Sequence, residues 1–375
     1  MIKQLKTFTV NLVAGANVAT VALMLLCGYS DRFSPVDYPL LSWLGMIFPF
    51  FLLVNLAFLF FWLIFKWRRA WIPVVGYLFA YIPITTYMPL NPEQELPDDC
   101  IKVLSYNVCT YGGNYKYHDA FERILDYFEE QQADIVCLQE DVDTWRRYAM
   151  NRYEKIYPYN DTTVFVKNGL NYNGVGIHTR YPILRKERIA YQSRANGSVA
   201  YYLKRGNDTL LVINNHFECT HLSKEDRATY KDILRGEVKA DTARAESMLI
   251  IGKLGKYSAI RAVEVDAVRK YIDEHRQYPL IVLGDFNDTP ISYARHTLAK
   301  GMTDCFAASG RGIGLSYNQK GFWVRIDHIL CSSDFIPYNC YVDSQKDFSD
   351  HYPLVCWLKM QRKIEIGRAS CRERV

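Results

Sequence analysis

The sequence predicts an α/β domain carried on about three transmembrane helices. Three observations lead there. The first ninety of the 375 residues hold three long uncharged runs. From residue 101 onward, short apolar segments instead alternate with polar loops and helical stretches. Charge is divided the same way: of the net +5, residues 1–90 carry +4 and the last eleven +1, which leaves 91–364 neutral. A domain without net charge gives no support to a generally cationic nucleic-acid binder.

The uncharged runs are 24 residues long at 7–30, 28 at 38–65 and 23 at 70–92. Crossing a hydrocarbon layer of ~30 Å takes about 20 mostly apolar residues. The expected helices are therefore 8–29, 40–65 and 71–89, the last carrying Pro73, Pro83 and Pro89. Three such runs are hard to place as a buried layer of a soluble fold. A cleaved signal peptide fits poorly, because the first run is long and lacks a small-x-small exit. Leu26-Cys27-Gly28 offers Leu where a lipoprotein box has a small residue. Trp43, Trp62, Trp67 and Trp71 lie near the expected helix ends, as an aromatic belt requires. Lys3 and Lys6 precede the first helix, and Lys66, Arg68 and Arg69 separate the second from the third. The other connections, with Asp31, Arg32 and Asp37 or with Glu93, Glu95, Asp98 and Asp99, are neutral or acidic. The positive-inside rule then expects a cytoplasmic N-terminus and a body on the extracytoplasmic, periplasmic-type side.

Residues 91–100 (NPEQELPDDC) read as a linker and 101–360 as one α/β domain of ordinary size. Strands are expected at 101–106, 134–138, 175–179, 210–214, 280–283, 322–330 and 354–358. Phe121, Ile124, Leu125 and Phe128 recur at helical spacing within 120–130 and predict a helix lying on a sheet. The charge-rich stretch 222–275 reads as helical; its first part suits a lid, a length filter, a membrane-facing arm or simply an outer helix with a solvated face. Residues 365–375 (EIGRASCRERV) resemble a translated adapter more than a native terminus and are set aside with Cys371. Cys137, Cys331 and Cys356 sit in apolar runs and read as core. Cys100, Cys109, Cys219, Cys305 and Cys340 look less buried and leave a disulfide open, while no zinc-type Cys/His spacing occurs.

Polar residues gather where the apolar runs end. Asn107 follows LSY, Glu140 follows VCLQ, His216 closes LVINNH, Asp285 and Asn287 fall in LGDFND, Asp327 opens DHIL, and Asp350-His351 lies in FSDHYP. Singly, each such residue more often caps a turn or the next helix. Together they are what a metal-assisted hydrolytic site needs, since magnesium takes oxygen ligands and can polarise a phosphoryl oxygen.

This ordered set resembles the endonuclease/exonuclease/phosphatase superfamily over about residues 101–360, with its Asn, Glu, N-x-H, GD-x-N, Asp and S-D-H elements in sequence. GVGIHTRYPI (174–183) is also similar to that family's strand and turn. The resemblance implies a deoxyribonuclease I-like, four-layer αββα sandwich, with two mixed sheets face to face and helices outside. It implies Mg²⁺ or Mn²⁺ held by Glu140, Asn107 and Asp350, and hydrolysis of a P–O bond by in-line attack of an activated water. Asp285 would be the general base and Asn287 would orient the water or bind phosphate. His216 would donate to a phosphoryl oxygen, and Asp327 would fix the tautomer of His351. These roles are partly exchangeable within the superfamily.

The substrate is left open. A nuclease-like phosphodiesterase stands first, with Arg180, Arg185, Lys186, Arg188 and Arg194 as its local cations and Tyr111, Tyr115 and Tyr117 as aromatics that could stack bases or simply pack. A phospholipid or sphingolipid phosphodiesterase is the alternative, since a bilayer tether keeps an enzyme beside a lipid substrate. A non-catalytic membrane-anchored binding module is the third. Oligomeric state is not specified.

Overall fold

In the computed structural model, which describes residues 2–112, 119–141, 152–168, 171–235, 240–319 and 324–361, the chain begins with α1 (Ile2–Gly28) and α2 (Leu44–Phe65). Both are long and apolar enough to cross a membrane. The third expected helix is broken. α3 (Trp71–Phe79) and α4 (Tyr81–Tyr87) meet at a bend of 61° and make a third span only if counted together. Pro83 has no N–H to offer the carbonyl four residues back, that of Phe79. The Tyr29 hydroxyl takes over that carbonyl at 2.6 Å. α1 and α2 are joined by polar side chains: Asn17 Nδ2 donates to Asn55 Oδ1 (3.0 Å) and Trp62 Nε1 to Asn17 Oδ1 (2.9 Å). Such pairs are the glue available where water is absent.

The remainder builds two six-stranded mixed sheets. In chain order the strands are β1 (Ile101–Asn107), β2 (Ile135–Gln139), β3 (Tyr159–Asn168), β4 (Asn171–Thr179), β5 (Ile183–Arg188), β6 (Gly197–Arg205), β7 (Asp208–His216), β8 (Leu280–Asp285), β9 (Thr303–Asp304), β10 (Asp327–Cys331), β11 (Phe335–Val342) and β12 (Leu354–Met360). The first sheet has the order β11-β12-β1-β2-β4-β3, the second β5-β6-β7-β8-β10-β9. Val103, Ile135 and Ile177 of the first sheet meet Val212, Ile281 and Ile329 of the second in one buried core. α5 (Ala120–Gln131) covers the outer face of the first sheet through Ile124, Leu125 and Phe128. α6 (Lys224–Arg235) leads to α7 (Ala240–Glu274), whose Val265, Val268 and Ile272 cover the second, beside α8 (Tyr293–Leu298). These are the four layers of an αββα sandwich.

Several expectations are corrected. Of the strand expected at 322–330, residues 322 and 323 lie outside the described residues, and the described ladder begins at Asp327, because the backbone N–H groups of Ile326 and Asp327 donate to Ser316 Oγ (3.0 and 3.1 Å) before it starts. The stretch expected to be helical carries α6 and α7, with 236–239 outside the described residues. Cys109, Cys305 and Cys340 are buried, not surface-near, and none of the nine described cysteines is in a disulfide. The suspect tail, with Cys371, and Tyr115 and Tyr117 lie outside the described residues.

Candidate active site

The sheet register assembles the polar strand ends. β7 and β8 are parallel and pair His216 with Asp285; β8 and β10 are antiparallel and pair Asp285 with Asp327. In the facing sheet β1 and β2 are parallel and end level, Asn107 opposite Gln139, so that Glu140 follows directly. Asn214 ties the two sheets together under the site. Its Nδ2 donates to the Leu138 and Gly176 carbonyls (both 2.9 Å), and its Oδ1 accepts from Gln139 Nε2 (2.7 Å).

Asp285 is the centre. Its Oδ2 lies 3.6 Å from His351 Nε2 and 3.8 Å from His216 Nε2, and accepts from Asn107 Nδ2 at 3.1 Å. Its Oδ1 accepts from the Asn287 backbone N–H at 2.8 Å. Burial pushes the Asp285 carboxyl up to about 6, helped by Asp327 and opposed by the two histidines. His351 Nδ1 lies 2.8 Å from Asp327 Oδ2. Burial alone would lower the His351 pKa, but the Asp327 and Asp285 carboxylates outweigh it and hold the ring well above its usual value. Burial dominates at His216 and lowers it, with Asp285 opposing. His216 Nδ1 faces Asn173 Oδ1 at 3.1 Å, so Nε2 can donate to a substrate only while the ring is protonated.

Glu140 lies beside Asn107, whose Nδ2 reaches Glu140 Oε1 at 3.3 Å while its Oδ1 accepts from the Cys109 N–H at 3.0 Å. The Glu140 carboxyl is raised, first by burial and then by the like charge of Asp350. Glu140 and Asn287 hold φ of 53° and 52°, a region that a glutamate enters less readily than an asparagine. Such strain clusters where a side chain must be aimed. Asp350 is half-buried and its backbone carbonyl accepts from the Asn318 N–H at 2.9 Å. A buried carboxyl raised by a neighbouring carboxylate suits a cation, and Asp285, Asp327 and His351 also lie close enough to share one. Glu140, His216, Asp285, Asn287, Asp350 and His351 all border one cavity of about 940 Å³.

Sequence reasoning missed the supports. Asp141, buried next to Glu140, accepts from the hydroxyls of Tyr111 (2.7 Å) and Thr162 (2.6 Å). Tyr111 thus packs instead of stacking on a base. Asn173 gave no signal, because its neighbours become neighbours only in the fold. Of the expected cationic cluster, Lys186 is paired with Asp161 and Arg185 with Glu187 (2.8 Å), while Arg188 lies over the Phe165 ring at 4.7 Å.

A four-layer sandwich with an Asp–His pair, a second histidine and acidic strand ends around one cavity defines the class of metal-dependent phosphoesterases. The chain belongs to the endonuclease/exonuclease/phosphatase family, whose model matches residues 104–351. It is a phosphoric ester hydrolase of that family, whose enzymes depend on a divalent metal. Residues 10–87 match a domain of unknown function (DUF8431). No curated protein matches the sequence. Among solved structures, the human Nocturnin catalytic domain with bound sulfate is similar at 16% identity, covering 72% of this chain and 97% of that one, with a TM-score of 0.51. An endonuclease/exonuclease/phosphatase from Beutenbergia cavernae is similar at 12% identity, over 70% of this chain and 72% of that one, also at 0.51. At such identities the likeness speaks for the fold.

Proposed function

We propose that this chain is a membrane-anchored phosphodiesterase whose catalytic domain spans about residues 101–360 and faces the extracytoplasmic side. The observation that carries the reading is the convergence of His216, Asp285, Asp327–His351 and Glu140 on one cavity. Asp285 takes a proton from the attacking water, whose oxygen bonds to phosphorus as the ester P–O bond breaks. His351, kept cationic by Asp327, stabilises the charge that gathers on the phosphoryl oxygens; the leaving oxygen takes up a proton from solvent, and Asp285 returns its proton to solvent. Asn287, whose Nδ2 donates to the Phe217 carbonyl at 2.9 Å, presents its backbone N–H to Asp285 and keeps that carboxylate aimed. Glu140 and Asp350, with Asn107 between Glu140 and Asp285, are the groups that would hold Mg²⁺ or Mn²⁺. When bound, such an ion supplies Lewis-acid polarisation of the phosphoryl oxygen. The chemistry is common to nucleic-acid and lipid phosphodiesters.

The orientation is supported by charge: the loop between α1 and α2 packs on the catalytic domain, with Asp31 Oδ2 3.3 Å from His296 Nδ1, while Lys66, Arg68 and Arg69 lie at the other end of α2. A reporter fused after Leu358 that behaves as cytoplasmic overturns it. The chemistry is tested on full-length protein with magnesium and a water-soluble chromogenic phosphodiester. His216→Ala, Asp285→Asn and His351→Ala should each lower turnover by roughly 10²–10³ with unchanged circular dichroism. Near-wild-type activity in any two of them refutes the assignment.

A further inference from the structure

We propose that the membrane anchor is itself a wall of the active site, so that the ester cleaved is a membrane-resident phospholipid whose headgroup enters from the bilayer surface. This deepens the phosphodiesterase reading and rests on it.

The cavity holding His216, Asp285 and His351 is closed on another side by Ser42, Trp43 and Met46, at the head of α2. An apolar α-helix begins at Leu44, so Trp43 stands at the depth where tryptophan marks a membrane interface. The catalytic groups and the membrane helices thus border one space.

The wall is fixed in place. Ile291, six positions beyond Asp285, is buried in the same apolar cluster as Met24, Cys27, Phe48 and Ala80 of the anchor. Gly45 makes room for it: a Cβ there would stand 1.9 Å from the Ile291 carbonyl oxygen. Arg325 Nη2 donates to the Thr86 carbonyl at 2.7 Å, and Asn91 Nδ2 to Ala307 at 3.1 Å. The loop that carries Asn287 and Asp288 therefore runs straight from the reacting carboxylate into the helical bundle.

α7 also contributes Leu254 and Ile260 to the lining and packs against the turn that precedes Ser42, a Cβ at Gly255 standing 2.8 Å from the Pro39 carbonyl oxygen. One to two turns before Leu254, Met248 and Leu249 are 57% and 62% exposed, with Lys256 exposed nearby and Lys253 paired with Asp226 at 2.6 Å. Apolar side chains flanked by lysines suit the headgroup layer. A nucleic acid would instead need an open track of free cations along its phosphates. Near the second sheet's edge Arg185, Lys186 and Arg188 are engaged by Glu187, Asp161 and Phe165, and at the cavity Arg227 donates to the Tyr317 hydroxyl at 2.9 Å, while Arg194 and Lys256 also border it.

The test uses full-length protein in vesicles of phosphatidylethanolamine, phosphatidylglycerol and sphingomyelin in equal parts. Dihexanoyl forms of the same lipids below micelle formation, the soluble chromogenic diester, and single- and double-stranded DNA and RNA are assayed beside them. Chelator-sensitive cleavage of a vesicle lipid is expected to exceed that of its short-chain form by about tenfold or more, as a raised effective concentration requires. In Trp43→Ala/Met46→Ala the ratio of vesicle to soluble-diester turnover should fall at least about fivefold, and Trp43→Phe alone, which keeps an apolar wall, should preserve it. A ratio unmoved by the double substitution overturns the inference. So does cleavage of nucleic acid and the soluble diester without vesicle lipid, an outcome that leaves the phosphodiesterase reading standing. No chelator-sensitive activity on any substrate overturns both.

Discussion

Asn214 offers a way to disturb the enzyme without touching a reacting group. It is fully buried between the sheets, two residues before His216, and makes three side-chain hydrogen bonds, two to carbonyls of the first sheet and one from Gln139. Asn214→Leu keeps the volume and removes all three. At about 0.5–1.5 kcal/mol net for each bond, the loss is roughly 1.5–4.5 kcal/mol. Gln139 Nε2 would retain only Ser105 Oγ at 3.4 Å, and its Oε1 already lacks a partner. The stranded buried amide adds about 1–3 kcal/mol. A total of roughly 2.5–7.5 kcal/mol is a large part of the ~5–15 kcal/mol that holds a typical domain together. It should lower the unfolding midpoint, read by near-ultraviolet circular dichroism in detergent, by roughly 10 °C or more. The same latch sets the spacing between Asn107 and Glu140 on one sheet and His216 and Asp285 on the other. Turnover of a soluble diester at 20 °C, where the variant is still folded, should therefore fall by about tenfold or more, since misplacement of catalytic groups by ~1 Å is costly. A midpoint shift under ~2 °C, or unchanged turnover, refutes the latch.

Gly176 on β4 faces Asp141, and a Cβ there would lie 2.0 Å from Asp141 Oδ2. Gly176→Ala should push Asp141 off Tyr111 and Thr162 and carry Glu140 with it, seen as at least about tenfold lower turnover and a higher magnesium requirement; unaltered magnesium dependence speaks against it. Glu264, buried under the loop after β7, accepts from the Glu218 N–H at 2.7 Å, yet burial pushes its carboxyl from 4.5 to about 7. The folded state holds this proton more tightly than the unfolded chain, so stability is greatest below the unfolded value and declines as pH rises towards the folded one. The cost above that is up to roughly 3 kcal/mol. Glu264→Gln should therefore raise the unfolding midpoint at pH 8 and gain little at pH 5, and equal midpoints at pH 8 count against the linkage.

What the sequence disclosed and what it hid divide along physical lines. β1, β2, β7, β8 and β12 were legible because both their faces are buried, and they read as apolar runs. β3, β5, β6 and β11 were not. β3, β5 and β11 are edges of the two sheets, and ILRKER or YNDTTVFVKN shows mostly the charge and polarity that edges use against further pairing, whereas β6 (GSVAYYLKR) is an interior, buried strand that the sequence did not single out. The polar strand ends were visible as a set, although sequence cannot say that β7, β8 and β10 pair so that His216, Asp285 and Asp327 stand in one row. The bend between α3 and α4 was foreshadowed by Pro83; its repair by Tyr29, fifty residues away, was not. Nor could composition show that Trp43 would line the same cavity as His351.

The charge at the cavity floor carries one further consequence. Glu140, Asp285, Asp327 and Asp350 gather there with two histidines, of which burial keeps His216 from charging readily while His351 stays cationic. Even with Asp285 and Glu140 raised, the site carries net negative charge at neutral pH, and a phosphodiester is an anion. A unit pair ~5 Å apart at an effective dielectric of about 20 repels by roughly 3 kcal/mol, which is a factor of more than about 10² in affinity. The neutral domain around the site does not offset this. A divalent cation is thus needed for the substrate to dwell in the cavity at all, before any bond is made. Binding of a non-hydrolysable phosphorothioate diester, followed by calorimetry, should weaken by about 100-fold or more when chelator is added to the wild-type protein. Glu140→Gln should demand more magnesium for the same affinity. Chelator-independent binding would show that the carboxylates are already neutralised by their own protons, and that the cation serves only the chemical step.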